Sequence, residues 1–184
     1  MIEPVYRAGP VEGYQWLTAV GDDEHLRLIE ISSHQAGTAW IPPRTALLRT
    51  DDNGKPLEVA DLPWYLGGTL VLSPRSRELL EPILAPAGEF LPLAGEAGDH
   101  VVFNATHYTD ALDEPASELT RFPDGRILRI KRVVLGASAF ADAPAVRLAN
   151  VHNSPIFYSH GVVQAINELG LTGTTFKPCG ECRS

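Results

Sequence analysis

The residues of this 184-residue chain whose types and spacing best suit chemistry are Cys179 and Cys182, in the run Cys179-Gly180-Glu181-Cys182. Two cysteines at this spacing can supply half of a structural zinc site or form a redox dithiol. A structural zinc needs four ligands, and the chain has neither a second such pair nor two histidines at zinc-finger spacing. Because only Arg183 and Ser184 follow, the helix of a thioredoxin-like site is also missing. A coincidence near the chain end is the favoured interpretation, and a metal-binding or enzymatic site that recruits a histidine stays as the alternative.

Carboxylates cluster at three places along the chain. Asp110, Asp113 and Glu114 could act as paired acid and base or could hold a metal ion. Such clusters are more often solvated turns or helix N-termini, where negative charge suits the helix dipole. Asp22-Asp23-Glu24 and Asp51-Asp52 are interpreted as loop charges that could contact a basic partner.

The three tryptophans offer another means of recognising a partner, because aromatic residues are enriched in protein interfaces. Core packing is the more common fate of a tryptophan. Trp64 lies in a segment that predicts an aromatic loop leading into a strand. The residues that we nominate for contact with a partner are Asp22, Asp23, Glu24, Asp51, Asp52 and Trp64.

The chain contains no G-x-S-x-G, P-loop, G-x-G-x-x-G or H-E-x-x-H motif. His152-Asn153-Ser154 precedes an apolar segment and could orient a substrate, but a turn at Asn153-Ser154-Pro155 is favoured. We therefore expect no catalytic activity and no cofactor.

The composition favours a protein partner over nucleic acid or a membrane. The net charge is −8 and the pI is about 5.2, whereas phosphate binding requires a dense basic face. An acidic surface steers a cationic partner, so a basic partner fits this charge, although solubility alone also accounts for it. No apolar run approaches the roughly 20 residues of a membrane span, and no secretory signal is visible. We expect a cytoplasmic protein.

The hydrophobic pattern predicts two principal helices, at about residues 73–85 and 160–169. Ser73-Pro74 is a typical helix start, because the hydroxyl can cap the helix and proline loses nothing at the first helical position. Pro82 is expected to kink or split this helix. The second helix is expected to be capped by Ser159 and to end at Gly170, which suits a left-handed stop.

Strand candidates outnumber the helices. Residues 26–31 alternate apolar and polar side chains and predict a strand, and residues 174–176 predict the last one. Phe122-Pro123-Asp124-Gly125-Arg126 predicts a hairpin turn, in which proline sets one dihedral and glycine supplies a positive φ. Because β structure separates the two helices, the predicted class is α+β with a mainly antiparallel sheet. The length favours one domain over residues 1–184.

Six short phrases in residues 59–178 are informative through their order and spacing. They are Glu81-Pro82-Ile83-Leu84, Gly88-Glu89-Phe90-Leu91-Pro92-Leu93, Val101-Val102-Phe103-Asn104-Ala105-Thr106, Thr109-Asp110-Ala111-Leu112-Asp113-Glu114, Phe122-Pro123-Asp124-Gly125-Arg126-Ile127 and Gly170-Leu171-Thr172-Gly173-Thr174-Thr175-Phe176-Lys177-Pro178. Together they resemble the immunity protein eleven family of bacterial polymorphic toxin systems, formerly a domain of unknown function. Residues 1–58 match this family less clearly, and residues 179–184 look like a C-terminal tail beyond its usual end.

The resemblance implies a cytoplasmic α+β domain that binds a cognate toxin domain and neutralises it by stoichiometric occlusion, without catalysis. The family has no catalytic motif to carry over, so no site residues are transferred. Partner specificity would then lie in residues 1–58 or in the C-terminal extension.

Overall fold

The computed structural model describes residues 2–33 and 39–183 of the chain. Within them it shows helices together with several sheets, so the predicted α+β class is confirmed. The helices are α1 (Asp22–Ile29), α2 (Pro74–Leu84) and α3 (His160–Glu168). The strands are β1 (Ile2–Pro10), β2 (Trp16–Ala19), β3 (Arg44–Leu48), β4 (Leu70–Leu72), β5 (Gly88–Pro92), β6 (Ala94–Gly95), β7 (Val101–Ala105), β8 (Tyr108–Thr109), β9 (Glu118–Arg121), β10 (Ile127–Gly136), β11 (Ala145–Leu148), β12 (Phe157–Tyr158) and β13 (Thr174–Arg183).

The largest sheet in the described part of the chain has seven strands in the order β8-β11-β12-β1-β13-β10-β9. At its centre β1 and β13 run antiparallel, from the pair Ile2–Arg183 to the pair Pro10–Thr174. The pairs β10–β13, β8–β11 and β3–β6 are parallel, so the mainly antiparallel sheet is matched only in part. A parallel pair needs a long crossover, and the segment that holds β11, β12 and α3 supplies it for β10 and β13.

Two further sheets, β2-β3-β6 and β4-β7-β5, meet at Trp64. Trp64 forms isolated bridges with Trp16 of β2 and Leu70 of β4, and its carbonyl accepts a hydrogen bond from the Leu17 N–H at 2.8 Å. This residue therefore joins the two sheets through its backbone.

The sheet β4-β7-β5 separates two groups of buried apolar side chains. Leu70 and Leu72 of β4 belong to the larger group, which also receives α2 and α3, whereas Val71 belongs to the smaller group with Leu28 of α1. Alternate residues of a strand point to opposite faces, so the unbroken apolar run of β4 fills both cores. None of the helices in the described residues is long and apolar enough to cross a membrane.

Helix α1 replaces the strand predicted at residues 26–31, and that prediction is wrong. Leu28 is completely buried, but Leu26 and Ile29 remain 51% and 45% exposed. The alternation that indicates a strand comes from the exposed Leu26 and the buried Leu28 on either side of Arg27, although only the Leu28 side of the helix packs inward. Asp22-Asp23-Glu24 form the first helical turn instead of a loop, where carboxylates interact favourably with the helix dipole.

Helix α2 begins as predicted and ends at Leu84, close to the predicted end at about residue 85. The Ser73 hydroxyl accepts a hydrogen bond from the Ser76 N–H at 3.3 Å, and Pro74 is the first helical residue. The expected split at Pro82 is wrong, because α2 runs through this residue to Leu84. Leu80 and Leu84 are completely buried on either side of Pro82, and their packing offsets the hydrogen bond that proline removes.

The local stop and turn signals are confirmed with one exception. Gly170 follows α3 with a φ of 64°, and Gly125 turns the chain between β9 and β10 with a φ of 88°. The Asp124 carboxylate accepts a hydrogen bond from the Arg126 N–H at 3.0 Å within this turn. Ser159 occupies the N-cap position of α3, but its side chain makes no capping hydrogen bond.

Candidate functional site

The two cysteines lie in β13, a central strand of the largest sheet, and not in a C-terminal tail. Cys179 is the extra residue of a bulge, since Tyr6 pairs with Pro178 and Val5 pairs with Gly180. Proline cannot donate to a strand ladder and is usually found at such irregularities. The last predicted strand is therefore longer than residues 174–176 because its pairing partners come from distant parts of the chain.

The thiols of the two cysteines are engaged with strands on opposite sides of β13. Cys179 Sγ donates to the Val5 carbonyl in β1 at 3.4 Å, and Cys182 Sγ donates to the Gly136 carbonyl in β10 at 3.3 Å. Burial raises the pKa of Cys179 to about 11, although Arg7 opposes this shift. No group of three or more His, Cys, Asp or Glu side chains suited to a metal occurs among the described residues, which leave out His34. Within that part of the chain, no histidine joins the two cysteines.

The nominated acidic residues lie at opposite ends of one strand pair. In the β2–β3 ladder Ala19 pairs with Thr45 and Trp16 pairs with Leu48. Asp22-Asp23-Glu24 follow the Ala19 end of the ladder, and Asp51-Asp52 follow the Leu48 end. The chain advances about 3.3 Å per residue in a strand, so the seven steps from Arg44 to Asp51 span up to about 23 Å. The structure therefore does not bring the two acidic groups together.

Several of the predicted acidic residues have local structural partners. The Asp51 carboxylate accepts hydrogen bonds from the N–H groups of Asn53 at 2.9 Å and Lys55 at 2.8 Å, which closes a turn. Glu24 forms an ion pair with Arg44 at 3.5 Å. Asp22, Asp23 and Asp52 are exposed and form no ion pair with a described residue.

The other acidic cluster also supports the chain locally. The Asp113 carboxylate accepts a hydrogen bond from the Ala116 N–H at 3.1 Å, and Glu114 forms an ion pair with Arg121. These contacts fit the interpretation of Asp113 and Glu114 as turn residues.

Trp64 is only 8% exposed, so its side chain has little surface to offer a partner. The structure therefore does not support Trp64 as a surface anchor, and its nomination for contact with a partner stays a prediction.

The structure places exposed apolar residues beside the acidic run at the start of α1, so the outer face of this helix is a candidate site. We define the α1 face as Asp22, Asp23, Leu26 and Ile29, all of which are exposed. Leu26 and Ile29 are three positions apart and therefore neighbours on one side of the helix. The α1 face thus combines adjacent apolar side chains with two carboxylates on the same short helix.

Two adjoining cavities, here called the two chambers of a cleft, lie near this part of the fold, and the second is lined by His25 and Ile29 of α1. The two chambers share four lining residues, Gly67, Gly68, Pro155 and Ile156. The first chamber has a volume of about 370 Å³ and the second about 320 Å³. Both volumes fall in the range of small-molecule sites.

The first chamber is lined by two cations, Arg7 and Lys177, together with Trp64 and Cys179. Arg7 and Lys177 are directly opposite each other in the β1–β13 ladder, where like charges repel. Neither forms an ion pair with a carboxylate of the described residues. Lys177 is exposed, so water screens much of this repulsion.

The second chamber contains a buried cation, Arg147 of β11, which is 6% exposed. Its Nε donates to the Ala105 carbonyl at 3.0 Å and its Nη1 to the Ser154 carbonyl at 2.5 Å. Burial lowers the pKa of Arg147 because the charged form loses solvation. His25 and Thr69 add polar groups to the same chamber.

The loop that closes the second chamber is the turn predicted at Asn153-Ser154-Pro155. Asn153 has a φ of 51°, a left-handed conformation that asparagine tolerates in turns. The Ser154 hydroxyl accepts a hydrogen bond from the Leu148 N–H at 2.9 Å and donates to the Pro155 carbonyl at 2.9 Å. The turn prediction is confirmed, and its residues also line a cavity.

Sequence reasoning misses Arg7, Lys177 and Arg147 as site residues. The available signal for Arg147 is a single cation within the apolar run Ala145-Val146-Arg147-Leu148, which is buried throughout. For Arg7 and Lys177 no local signal exists, because the β1–β13 pairing brings together residues from the two ends of the chain.

No model of a known protein family matches this chain, and no curated protein matches it. The resemblance to an immunity protein family, carried by the phrases in residues 59–178, therefore stays a prediction.

Proposed function

We propose that this protein is an immunity protein that binds a cognate bacterial toxin domain and neutralises it by stoichiometric occlusion, without catalysis. The observation that carries the proposal is the α1 face, where apolar side chains stay exposed beside carboxylates. The family resemblance of the phrases in residues 59–178 supports the same function.

The α1 face has the composition of an interface centre. Protein interfaces concentrate their binding energy in a few desolvated side chains that are surrounded by polar groups. Leu26 and Ile29 supply the apolar part, and Leu66, which is 56% exposed, lines the second chamber together with Ile29. The apolar surface therefore continues from the helix to the mouth of the cleft.

The charge of this face selects a basic partner. Asp22 and Asp23 form no ion pair with a described residue, and the whole chain has a net charge of −8. Complementary charge accelerates encounter and disfavours acidic partners. A toxin domain with a basic surface, such as a nuclease, fits these properties.

The experiment is co-expression of the full-length chain with the toxin domain encoded beside its gene. We expect rescue of growth and a stoichiometric complex that survives size-exclusion chromatography. The double variant Leu26→Ala with Ile29→Ala should raise the Kd by about 100-fold or more, since two central apolar contacts are removed. Leu128→Ala is the matched control, because Leu128 is also an exposed leucine (54%) but lies on β10 of the seven-stranded sheet and not on α1.

Two outcomes separate the parts of this proposal. Failure of the unaltered chain to rescue growth and to co-purify with the toxin overturns the immunity function. If the unaltered chain rescues growth but the Leu26 and Ile29 double variant binds the toxin with an unchanged Kd, the immunity function stands and the α1 face is not the binding site. Thermal unfolding of each variant verifies that the loss of binding does not come from loss of the fold.

A further inference from the structure

We propose that the second chamber of the cleft binds a small organic carboxylate, with Arg147 holding the carboxylate and the apolar wall holding the rest of the molecule. This inference concerns a ligand other than the toxin, and the chamber shares Ile29 and Leu66 with the apolar surface proposed for the toxin.

Arg147 carries a buried charge without a counter-charge in the part of the chain that the structure describes. No carboxylate of these residues lies within ion-pair distance of it, and neither N–H of Nη2 donates to a described residue. A buried ion is costly unless it is paired, and two carbonyl dipoles compensate only part of a full charge. The remaining donors suit an anion that enters the chamber.

The phenol of Tyr158, which interacts electrostatically with Arg147, does not supply the missing negative charge. Tyr158 is completely buried, and burial raises its pKa well above the ordinary value, so it stays neutral. Its hydroxyl also lacks a hydrogen-bond partner among the described residues. Tyr158 therefore does not compensate the charge of Arg147 at neutral pH.

The guanidinium of Arg147 is held in place before a ligand arrives. Its Nε and Nη1 are bound to carbonyls of β7 and of the loop after β11, two different parts of the chain. A fixed guanidinium loses little conformational entropy when it binds a planar carboxylate. Preorganisation of this kind favours a specific site over a mobile surface arginine.

The remaining wall of the chamber selects an apolar body for the ligand. Ile29, Ile31, Leu66 and Ile156 line it beside the polar residues. The volume of about 320 Å³ corresponds to roughly ten water molecules at about 30 Å³ each. A carboxylate with an aromatic or short aliphatic body, such as benzoate or phenylacetate, matches this size.

The experiment is titration of the purified full-length protein with benzoate and phenylacetate, followed by NMR and calorimetry. We expect saturable binding with a Kd of roughly millimolar or tighter, a common range for ligands of about ten heavy atoms. Benzamide has the same shape without the charge and should bind at least about tenfold more weakly, because charge-assisted hydrogen bonds are lost. Inorganic phosphate tests whether the site takes any anion.

Three variants locate the binding. Leu66→Trp should fill the chamber mouth and weaken benzoate binding by about tenfold or more, without touching Arg147. Arg147→Lys should weaken it similarly through loss of the guanidinium fork, provided that its circular dichroism matches the unaltered protein. Lys177→Gln removes a cation from the first chamber and should leave the Kd within twofold.

The proposal is overturned if neither carboxylate binds saturably, or if benzamide or phosphate binds as tightly as benzoate. It is also overturned if Leu66→Trp leaves the Kd unchanged. Because Leu66→Trp does not alter the buried arginine, it decides the question even if every Arg147 variant fails to fold.

Discussion

The close approach of β10 and β13 in the large sheet requires a residue without a side chain at position 180. A Cβ placed on Gly180 would lie 1.8 Å from the Val133 carbonyl oxygen of β10. Next to this glycine, Glu181 accepts hydrogen bonds from Arg132 at 2.6 Å and Arg183 at 2.7 Å. The motif that suggests metal or redox chemistry therefore contains residues that strand packing requires.

Gly180→Ala should destabilise the fold by about 3 kcal/mol, because the new methyl group forces β10 and β13 apart. The measurement is the midpoint of urea unfolding. Gly161→Ala is the control, since Gly161 is an exposed residue of α3 with nothing within 4 Å of an added Cβ. There the same substitution should be neutral or stabilising by up to about 1 kcal/mol. Equal stability of the two variants would contradict the strand contact.

At the scale of secondary-structure elements, α2 and α3 start with the same residue type but use it differently. Ser73 accepts a hydrogen bond from the Ser76 N–H, which satisfies one of the free donors at the start of α2. Ser159 stands at the same position of α3 without such a bond. Helix α3 therefore depends on its buried side chains, among them Val162 and Ile166, and not on its cap.

Ser73→Ala should cost about 1 kcal/mol of stability, whereas Ser159→Ala should cost less than about 0.5 kcal/mol. The reason is that only the first substitution leaves a helix N–H without its acceptor. Chemical denaturation of both variants checks the difference. A cost for Ser159→Ala as large as that of Ser73→Ala would show that Ser159 caps its helix in solution.

At the scale of the whole molecule, the two ends of the chain form one structural unit. Strands β1 and β13 pair along their whole lengths, and β13 also pairs with β10 from Val133 to Gly136. The first chamber of the cleft depends on the same pairing, because it brings Arg7 and Lys177 together. Formation of this site therefore requires the pairing of the most distant strands.

Removal of residues 179–184 should lower the Tm by more than about 10 °C, or prevent soluble expression. The deletion removes the pairing of Ile2–Val5 in β1 and all pairing of β10 with β13, which amounts to several kcal/mol. Calorimetry of the truncated and full-length chains measures the effect. A truncated chain with an unchanged Tm would restore the interpretation of these residues as a tail.

The sequence predicts best those features whose stabilising contacts join residues that are close together in the chain. The start of α2 at Ser73-Pro74, the turn at Phe122-Pro123-Asp124-Gly125 and the stop at Gly170 depend on neighbours a few residues away, and all three are confirmed. The strand predicted at residues 26–31 fails because the exposed Leu26 and the buried Leu28, two positions apart in a helix, give the same short alternation as a strand.

The sequence by itself determined the α+β class, the two longer helices and the local turns, because capping, proline geometry and positive φ act within a few residues. Only the tertiary structure decided that Cys179 and Cys182 lie in a central strand, that Trp64 joins two sheets and that Arg147 is buried beside a cavity. Burial and strand pairing are properties of contacts between distant segments, and β1 and β13 show this most clearly. The candidate sites arise from these contacts, so they became visible only in the folded chain.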